Sequence, residues 1–466
     1  MSLDPQEPMP PSVEYNHPDL NAASILEERN HLLAMSRAKT ELVEAEQRRM
    51  LWQIIKFASD NSSWWRGRLK AAADAFEDKA SIHELIRLLP VTTRRAIQDD
   101  FARFGMTVQG SKKDDYKIIT TSGSTGRMVQ VEKYLPEAMK YSSAYSLFEM
   151  ESTSRKDGLD LLNISVREEE KPLSPAQKPL SLIRWRGMNE TVSSSKRSVP
   201  ELLDKISQGK FGYVYTNANL MRLIAQEQIR NPRKTKVKDF LSWVDPVDSD
   251  LRTLVKNAFG ARIIDRYSSE EFGPIAFQCP KHDHLHLISP YLYLEVVDSE
   301  GNPVPEGQLG RVQMTSLTNR AFPILRYQLG DLVVAGPPCS KINWPTIEKV
   351  EGRVRDYIEG PDGELRLPRL AAQSLTKSAN FLDARIYLFQ DKAVALVATA
   401  RPMTPEEITL AKEELVYAFY LEPGMSEVVV SHEGKWRDIW KRKRYEKIDA
   451  PYSIDRLMEF ANLETS

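Results

Sequence analysis

The sequence YKIITTSGSTGRMVQVEKY, residues 116–134, joins two strand-like runs through a segment made almost wholly of hydroxyl residues and glycine. Glycine lets main-chain N–H groups approach an anion, and hydroxyl side chains add further donors. The segment therefore predicts a phosphate-binding loop after a short strand, although a flexible Ser/Thr loop has the same composition. It is not a Walker loop, which needs Gly-x-x-x-x-Gly-Lys-Ser/Thr. The candidate phosphate-contacting residues are Thr120, Thr121, Ser122, Gly123, Ser124, Thr125 and Gly126.

The totals exclude several classes of protein. A chain of 466 residues is too long for one ordinary core, so two or more domains are expected. Hydrophobic residues make up 41% and charged residues 28%, and no run approaches the ~20 apolar residues of a spanning helix. A net charge of -1 argues against a nucleic-acid or membrane-surface partner. The acidic, Pro-rich N-terminus has no signal-peptide pattern, so a cytoplasmic protein is expected.

The element pattern changes along the chain. Residues 1–20 are expected to be a disordered arm, and residues 24–58 carry helical periodicity that predicts one long helix or two. From residue 117, short apolar runs alternate with helical segments, which predicts an α/β domain. Period-two runs between residues 291 and 331 add an antiparallel layer, and a smaller unit follows, whose helix opens at Thr404 with a capping box. The predicted domains are residues 21–352 and 353–466.

Five motifs follow one another in a fixed order: TTSGSTGRM (120–128), DRYSSEEFGPIA (265–276), RYQLGDL (326–332), EGRVRDYI (351–358) and EGKWR (433–437). This series resembles the adenylate-forming ligase superfamily, and within it the phenylacetate-CoA ligase and CapK-like branch. The resemblance covers roughly residues 50–437. It implies an α/β fold class, with a large N-terminal adenylation domain of mixed sheets and helices and a small, mobile α+β C-terminal domain.

The resemblance also implies roles for single residues. The hydroxyl-rich loop would wrap the β- and γ-phosphates of ATP, and Glu271 would help hold Mg²⁺ through a hard oxygen ligand. Tyr267 would line the adenine pocket, and Asp331 would accept hydrogen bonds from the ribose hydroxyls. Arg353 would contact the ribose or phosphates from the domain junction. Without the resemblance, Tyr267 would be a core tyrosine, Asp331 a turn aspartate and Arg353 a surface arginine.

Lys435 is the candidate catalytic lysine. In the family, a lysine on the mobile C-terminal domain neutralises charge between the carboxylate and the α-phosphate during in-line attack. The surrounding KWRDIWKRKRYEK is strongly basic, so a solvated helix face is the competing explanation.

The chain departs from the family pattern at three places. Glu270 and Ser268 stand where the family has a hydroxyl residue and a glycine, Arg355 stands at the usual hinge acid, and PDGELRLP replaces a glycine-containing loop of thioester-forming relatives. These departures make adenylation better supported than transfer to coenzyme A. They also leave open a catalytically degenerate homologue that only binds nucleotide.

The two cysteines exclude a disulfide framework and raise the question of a metal. Some relatives carry a structural zinc in this region, and Cys279-x-x-His282 has metal-ligand spacing. Cys339 and another histidine of CPKHDHLHL would complete a tetrahedral Zn²⁺ set. Free buried cysteines beside surface histidines are the alternative.

The resemblance therefore implies an ATP- and Mg²⁺-dependent ligase that activates a carboxylic acid as an acyl-adenylate and releases pyrophosphate. The expected acid is aromatic or otherwise compact and apolar, and Tyr213, Tyr215 and Asn217 occupy the segment that lines the acid pocket in relatives. An aromatic strand in the core explains the same residues. The acceptor is coenzyme A by family majority, or an amine such as an amino acid. The oligomeric state stays open.

Overall fold

The computed structural model describes residues 20–121, 128–152, 160–165, 189–194, 196–208, 211–243, 247–354, 357–359, 365–366, 371, 375, 381–399, 401–430 and 445–461. The predicted arm up to residue 19, the loop residues Ser122–Gly126 and Lys435 lie outside these ranges. The chain divides into two compact units, Met1–Ser193 with Val199–Gly352, and Ser194–Ser198 with Arg353–Ser466. Within the described ranges, no helix has the length and apolar character needed to cross a bilayer.

Over the described residues 20–121, the first unit begins with five helices. They are α1 (Ala22–Met35), α2 (Thr40–Asn61), α3 (Lys70–Glu77), α4 (Ile82–Leu88) and α5 (Arg94–Phe104). The starts of α1, α4 and α5 are capped by short polar side chains. The helical periodicity over residues 24–58 thus belongs to two helices. Ser81 opens α4 with a capping box, and the Thr93 side chain accepts from the main-chain N–H of Ala96 at the start of α5. Helix α4 ends two residues before Pro90, as the restriction on the residue before proline predicts.

A parallel sheet follows and confirms the α/β class. Strands β1 (Tyr116–Thr120) and β2 (Gln130–Tyr134) form an antiparallel hairpin, and α6 (Leu135–Ser152) comes directly after it. The next elements are β3 (Asp160–Ser165), β4 (Asn189–Ser193), α7 (Val199–Ser207), β5 (Phe211–Asn217), α8 (Ala218–Arg230), β6 (Asp239–Trp243), α9 (Ser249–Phe259) and β7 (Arg262–Ile264). The strands lie in the order β4-β3-β5-β6-β7, and all four recorded pairings are parallel.

A second sheet of the same unit has seven strands in the order β11-β12-β13-β14-β10-β9-β8. They are β8 (Arg266–Ser269), β9 (Gly273–Gln278), β10 (Leu285–Leu287), β11 (Leu292–Val297), β12 (Leu309–Ser316), β13 (Tyr327–Ala335) and β14 (Thr346–Arg353). The antiparallel pairing of β11 with β12, and of β12 with β13, confirms the hairpin layer predicted from period-two alternation. Asp265 alone separates β7 from β8, so the chain passes directly from the parallel sheet to this one.

The core of the first unit packs the N-terminal helices against the seven-stranded sheet. Trp65 is fully buried, and its ring meets Phe104 edge-on at 5.7 Å between centroids. Phe104 in turn stacks on Phe322 at 5.4 Å. Main-chain hydrogen bonds of Thr92 to Arg326 and Gln328 tie the start of α5 to β13. This packing fixes β13, which carries one of the candidate site residues.

The second unit is a small α+β fold. It contains β15 (Ile358–Glu359), β16 (Leu365–Arg366), β17 (Phe381–Leu388), β18 (Ala393–Thr399), α10 (Pro405–Phe419), β19 (Ser426–Val430), β20 (Tyr445–Lys447) and α11 (Ile454–Ala461). Four strands form one sheet in the order β19-β18-β17-β20. One apolar cluster joins this sheet to α10, and another includes Leu457 of α11. The predicted capping box of Thr404 and Glu407 is confirmed.

Candidate functional site

The β1–β2 hairpin carries the hydroxyl-rich motif at its tip, of which Thr120 and Thr121 are described. Thr120 ends β1 with an exposed side chain. The main-chain N–H of Thr121 donates to the carbonyl of Val129 at 2.9 Å, and its Oγ1 accepts from the Val129 N–H at 3.1 Å and from Arg94 at 3.2 Å. The Thr121 hydroxyl is therefore engaged in a hydrogen bond that continues the β1–β2 pairing to Val129.

Tyr267 and Asp331 are brought together although 64 positions separate them in the chain. Tyr267 lies on β8 and Asp331 on β13, and the tyrosine hydroxyl donates to Oδ2 of the carboxylate at 2.7 Å. Tyr267 is 7% exposed and Asp331 6%. A hydrogen bond to an ionised, buried carboxylate is among the stronger ones in proteins. Two of the sequence motifs thus meet through their polar groups.

Glu271 lies in the turn that joins β8 to β9. The turn spans residues 270–272, and the Ser269 side chain accepts from the main-chain N–H of Phe272 at 3.1 Å. Glu271 is 5% exposed, whereas Glu270 beside it is exposed. Lys133 of β2 reaches this turn and donates from Nζ to the Glu271 main-chain carbonyl. Burial lowers the pKa of Lys133 to about 8, while the charges of Glu271 and Glu270 act in the opposite direction.

Lys133 was not among the residues identified from sequence. A signal was available: in an alternating strand, residue 133 shares a face with Val131, which is 1% exposed. A lysine on the inner face of a strand is unusual enough to mark a specific partner.

The residues proposed for the acid pocket lie on β5, the central strand of the parallel sheet. Tyr213 belongs to an apolar cluster with Leu161, Leu241 and Ile264, and Tyr215 packs against that cluster. Asn217 ends β5, where its side chain accepts from the main-chain N–H of Leu220 at 2.9 Å and caps α8. The Asn217 side chain therefore serves as a helix cap at the carboxyl edge of the sheet.

A buried ion pair supports Tyr215 from strand β8 of the seven-stranded sheet. Arg266 donates from Nε to Glu149 of α6 at 2.6 Å and from a second nitrogen to the other carboxylate oxygen. The Glu149 side chain is 1% exposed. The Arg266 guanidinium carbon lies 5.6 Å from the centroid of the Tyr215 ring, within the range of a cation–π contact. The pair thus fixes α6, β8 and an aromatic ring of β5 together.

Asp265, between the two sheets, is a second residue that sequence reasoning missed. Burial raises the pKa of its carboxyl to about 7, while Arg252 and a hydrogen bond from the Arg266 N–H act in the opposite direction. The Arg266 main-chain N–H donates to Asp265 Oδ1 at 2.8 Å. Nothing in the local sequence DRYSSEE distinguishes a buried aspartate from an exposed one.

Arg353 is the last residue of β14 and is half-buried. It is the first residue of the long segment assigned to the second unit. The role implied for it by the resemblance stays a prediction, as does the role of Lys435.

Both cysteines lie in one cluster with histidines. The Sγ atoms of Cys279 and Cys339 are 3.9 Å apart. One ligand atom from each of Cys279, His284, His286 and Cys339 lies within 4.8 Å of the others. His282, the predicted ligand, is exposed, with its Nδ1 at 3.4 Å from the Cys279 sulfur and 3.6 Å from the Cys339 sulfur. The structure thus adds His284 and His286 to the predicted set.

Two histidines in this cluster have buried ring nitrogens. His286 is 0% exposed, and neither ring nitrogen makes a hydrogen bond of good geometry to another described residue, although the Trp344 main chain lies near enough to act on its pKa. The Nε2 atom of His284 is also buried and makes no hydrogen bond of good geometry to a described residue. A tetrahedral zinc site holds its ligand atoms about 3.3 to 3.8 Å apart, close to the observed separation of the sulfurs. Burial lowers the pKa of His286 to about 4, so its ring is neutral near pH 7.

Comparison with known proteins gives relatives by sequence. No protein-family model matches the chain. A phenylacetate-coenzyme A ligase from Aromatoleum evansii is 22% identical over 337 residues, 69% of this chain and 72% of that enzyme. A phenylacetate-coenzyme A ligase from Pseudomonas putida is 30% identical over 132 residues, 28% of this chain. That second match spans only 30% of the Pseudomonas enzyme's length.

The fold comparison covers nearly the whole chain. A crystal structure of 2-hydroxyisobutyryl-CoA ligase, in the postadenylation state in complex with R3-HIB-AMP, superposes with a TM-score of 0.71. The superposition covers 99% of this chain and 97% of that one, at 15% identity. The chain is thus similar in sequence to phenylacetate-coenzyme A ligases and shares the fold of 2-hydroxyisobutyryl-CoA ligase, as the motif resemblance to the adenylate-forming ligase superfamily predicted. The α/β fold class implied by the sequence motifs is confirmed.

Two of the sequence motifs meet in the seven-stranded sheet of the first unit. Tyr267 and the Glu271 turn come from the motif at residues 265–276, and Asp331 comes from the motif at residues 326–332. The hairpin of the hydroxyl-rich motif meets this group through Lys133.

Proposed function

We propose that this protein is an ATP-dependent acid ligase. A carboxylate oxygen of the acid attacks the α-phosphorus of ATP, the bond to the bridging oxygen of the β-phosphate breaks, and acyl-AMP and pyrophosphate form. The thiolate of coenzyme A then attacks the acyl carbon, and AMP leaves. The observation that carries the proposal is the buried hydrogen bond from Tyr267 to Asp331, which joins the two motifs assigned to adenine and ribose.

Asp331 suits the ribose because a carboxylate offers paired acceptors. One of its oxygens, Oδ2, accepts from Tyr267, and this bond fixes the plane of the carboxylate. In the proposal, the carboxylate in this orientation accepts from the two neighbouring hydroxyls of a ribose. The ring of Tyr267 forms part of the adenine pocket in the same proposal.

Glu271 suits Mg²⁺ as a hard oxygen ligand in a turn beside the phosphate-loop hairpin. When bound, the ion offsets charge on the phosphates as pyrophosphate leaves. The residues assigned to the phosphates themselves are Thr120, Thr121, Ser122, Gly123, Ser124, Thr125 and Gly126, with Arg353 and the catalytic Lys435 from the second unit. For Ser122–Gly126 and Lys435 the support is the motif resemblance alone.

The acid pocket is assigned to Tyr213 and Tyr215 on β5 of the parallel sheet, a sheet type whose carboxyl edge binds ligands in α/β folds. Two tyrosine rings favour an aromatic or compact apolar acid, and the relatives named above are phenylacetate-coenzyme A ligases. Arg266 holds the Tyr215 ring from behind and is itself neutralised by Glu149. The pocket floor therefore gains rigidity without presenting a free cation. Asn217, at the end of β5, is assigned to the same acid pocket.

Zinc is the second part of the proposal. Cys279, His284, His286 and Cys339 would hold Zn²⁺ in a closed, four-coordinate site, the arrangement typical of structural zinc. The ligands come from the end of β9, from β10 and its approach, and from the connection before β14. The ion would supply no chemistry to the ligase reaction. It would tie together the segments that carry these ligands and satisfy one of the two buried ring nitrogens of His286.

The experiment is a pyrophosphate-release assay on the full chain with a panel of aromatic and aliphatic acids. Each acid is tested alone, with coenzyme A and with amino acids, so that thioester and amide formation are separated by mass spectrometry. Acid-dependent pyrophosphate with an acyl-CoA product supports the proposal, and an acyl-amide would replace the acceptor. ATP binding without acid-dependent turnover would favour a degenerate homologue. Turnover that Lys435→Ala leaves unchanged would overturn the assignment of Lys435.

A further inference from the structure

Lys133 connects two separate parts of the first unit. It lies on β2, the strand that follows the hydroxyl-rich motif. Its ammonium donates to the main-chain carbonyl of Glu271, in the turn between β8 and β9. The hairpin and the turn belong to different sheets and are 138 positions apart. A single charged side chain thus bridges the hairpin to the turn that presents Glu271.

The charges around this ammonium are arranged in an asymmetric way. Glu271 and, more weakly, Glu270 attract the ammonium. Across the hairpin the residue paired with Lys133 is Lys117, whose side chain is exposed and faces solvent. Among the described residues of the hairpin, Lys133 therefore reaches the turn, and Lys117 offers a second lysine for comparison.

The turn itself needs a cation. Carboxylates of like charge repel one another, and Glu271, at 5% exposure, is little screened by water. Glu270 stands where related motifs have a hydroxyl residue, so this chain carries one more negative charge beside Glu271. Without a compensating charge, the turn would relax by moving one carboxylate away from the other.

We propose that Lys133 is a positioning residue: it clamps the 270–272 turn to the β1–β2 hairpin and compensates the extra charge of Glu270, so that the Glu271 carboxylate stays available to Mg²⁺·ATP. The inference rests on the proposed function, because it assigns Glu271 to the metal. It goes beyond that function by naming a residue outside the superfamily motifs. Positioning groups behind metal ligands typically change metal affinity or activity by about 10- to 100-fold when removed.

The test compares four variants of the full chain with the unmodified protein. Lys133→Met removes the charge at nearly the same length, Lys133→Arg keeps it, and Lys117→Met is the control on the same hairpin. The fourth is the double variant Lys133→Met/Glu270→Thr, which also removes the charge to be compensated. For each, the Mg²⁺ concentration that gives half-maximal pyrophosphate release is measured. ATP affinity is measured by calorimetry with and without Mg²⁺.

For Lys133→Met we expect the half-saturating Mg²⁺ concentration to rise about 10- to 100-fold, and the gain in ATP affinity from Mg²⁺ to shrink by a similar factor. Lys133→Arg and the double variant should recover at least part of this loss, and Lys117→Met should match the unmodified protein. Unchanged Mg²⁺ dependence in Lys133→Met would overturn the inference. If that variant is not folded by circular dichroism, Lys133→Gln takes its place under the same criteria.

The outcomes separate the inference from the proposed function. If the unmodified protein binds Mg²⁺·ATP but releases no acid-dependent pyrophosphate, the function fails, and the calorimetric comparison still decides the role of Lys133. If turnover is normal and Lys133→Met loses only thermal stability, Lys133 is a structural residue and the inference fails alone. If the unmodified protein binds no nucleotide, both are overturned.

Discussion

Replacing Tyr267 with phenylalanine isolates one hydrogen bond at the centre of the proposed nucleotide site. The change removes the hydroxyl that donates to Asp331 Oδ2 at 2.7 Å and keeps the ring. Both residues are buried, at 7% and 6% exposure, so water does not freely replace the lost donor. Hydrogen bonds to charged groups contribute about 1.5 to 3 kcal/mol, and we expect the free energy of unfolding to fall by that amount.

The effect on ATP follows from the orientation of Asp331. The tyrosine holds one carboxylate oxygen, and the ribose is proposed to use the other. If about half of the lost 1.5 to 3 kcal/mol is felt when nucleotide binds, ATP affinity falls roughly 4- to 12-fold. The KM for coenzyme A should not change, because neither residue is assigned to that substrate. Calorimetric ATP binding and steady-state kinetics with varied ATP measure the two quantities.

A matched control exists in the same unit. Tyr291 donates from its hydroxyl to Oε1 of Glu28 on α1, also at 2.7 Å. Tyr291→Phe removes a bond of the same chemistry and length away from the motifs, so it should lower the stability without changing ATP affinity. Equal ATP affinity in Tyr267→Phe and the unmodified protein, with stability reduced, would refute the assignment of Asp331 to the ribose.

Two further predictions follow. Protein purified without a histidine tag should contain one zinc per chain, lost in Cys279→Ser and His286→Asn but kept in His83→Asn, whose side chain is exposed; metal analysis that finds no zinc in the unmodified protein would end the proposal. The carboxyl pKa of Asp265 is raised from 3.8 to about 7, so the folded protein holds a proton that the unfolded chain releases, and the stability falls as pH rises from about 4 to 7. Asp265→Asn removes the titrating carboxyl and with it this loss of stability. The free energy of unfolding of Asp265→Asn, relative to that of the unmodified protein, should therefore increase from about pH 4 to about pH 7 by up to about 4 kcal/mol, at 1.36 kcal/mol per pKa unit. A pH-independent difference between their urea midpoints would show that Asp265 titrates normally in the fold.

Much of the fold was predicted from patterns among residues close together in the sequence. Alternating polarity was enough for the β11–β12 hairpin, and the Thr404 capping box was legible because caps depend on a few neighbouring residues. The motif order gave the superfamily. The break between α1 and α2 was harder to see, because residues 24–58 keep a helical periodicity across Ser36–Lys39.

The site features that were not predicted from the sequence depend on polar contacts between residues far apart in the chain. Lys133 and Asp265 owe their character to burial among groups far away in the chain, which composition does not encode. Asn217 was assigned to the acid pocket from its place after an aromatic strand, and its contact is a helix cap. In the histidine cluster, spacing favoured His282, but the approach to β10 turns His284 and His286 inward and leaves His282 exposed.

The central claim is that a carboxylate attacks the α-phosphorus of ATP, and oxygen labelling tests it directly. Phenylacetate, or the best acid of the panel, is supplied with ¹⁸O in both carboxylate oxygens, together with ATP and coenzyme A. Attack on the α-phosphorus leaves one labelled oxygen bridging the acyl group and AMP, and that oxygen departs with AMP when the thiolate attacks the acyl carbon. We expect AMP carrying one ¹⁸O per turnover, with unlabelled pyrophosphate. Label in inorganic phosphate, or ADP as the nucleotide product, would contradict the acyl-adenylate mechanism.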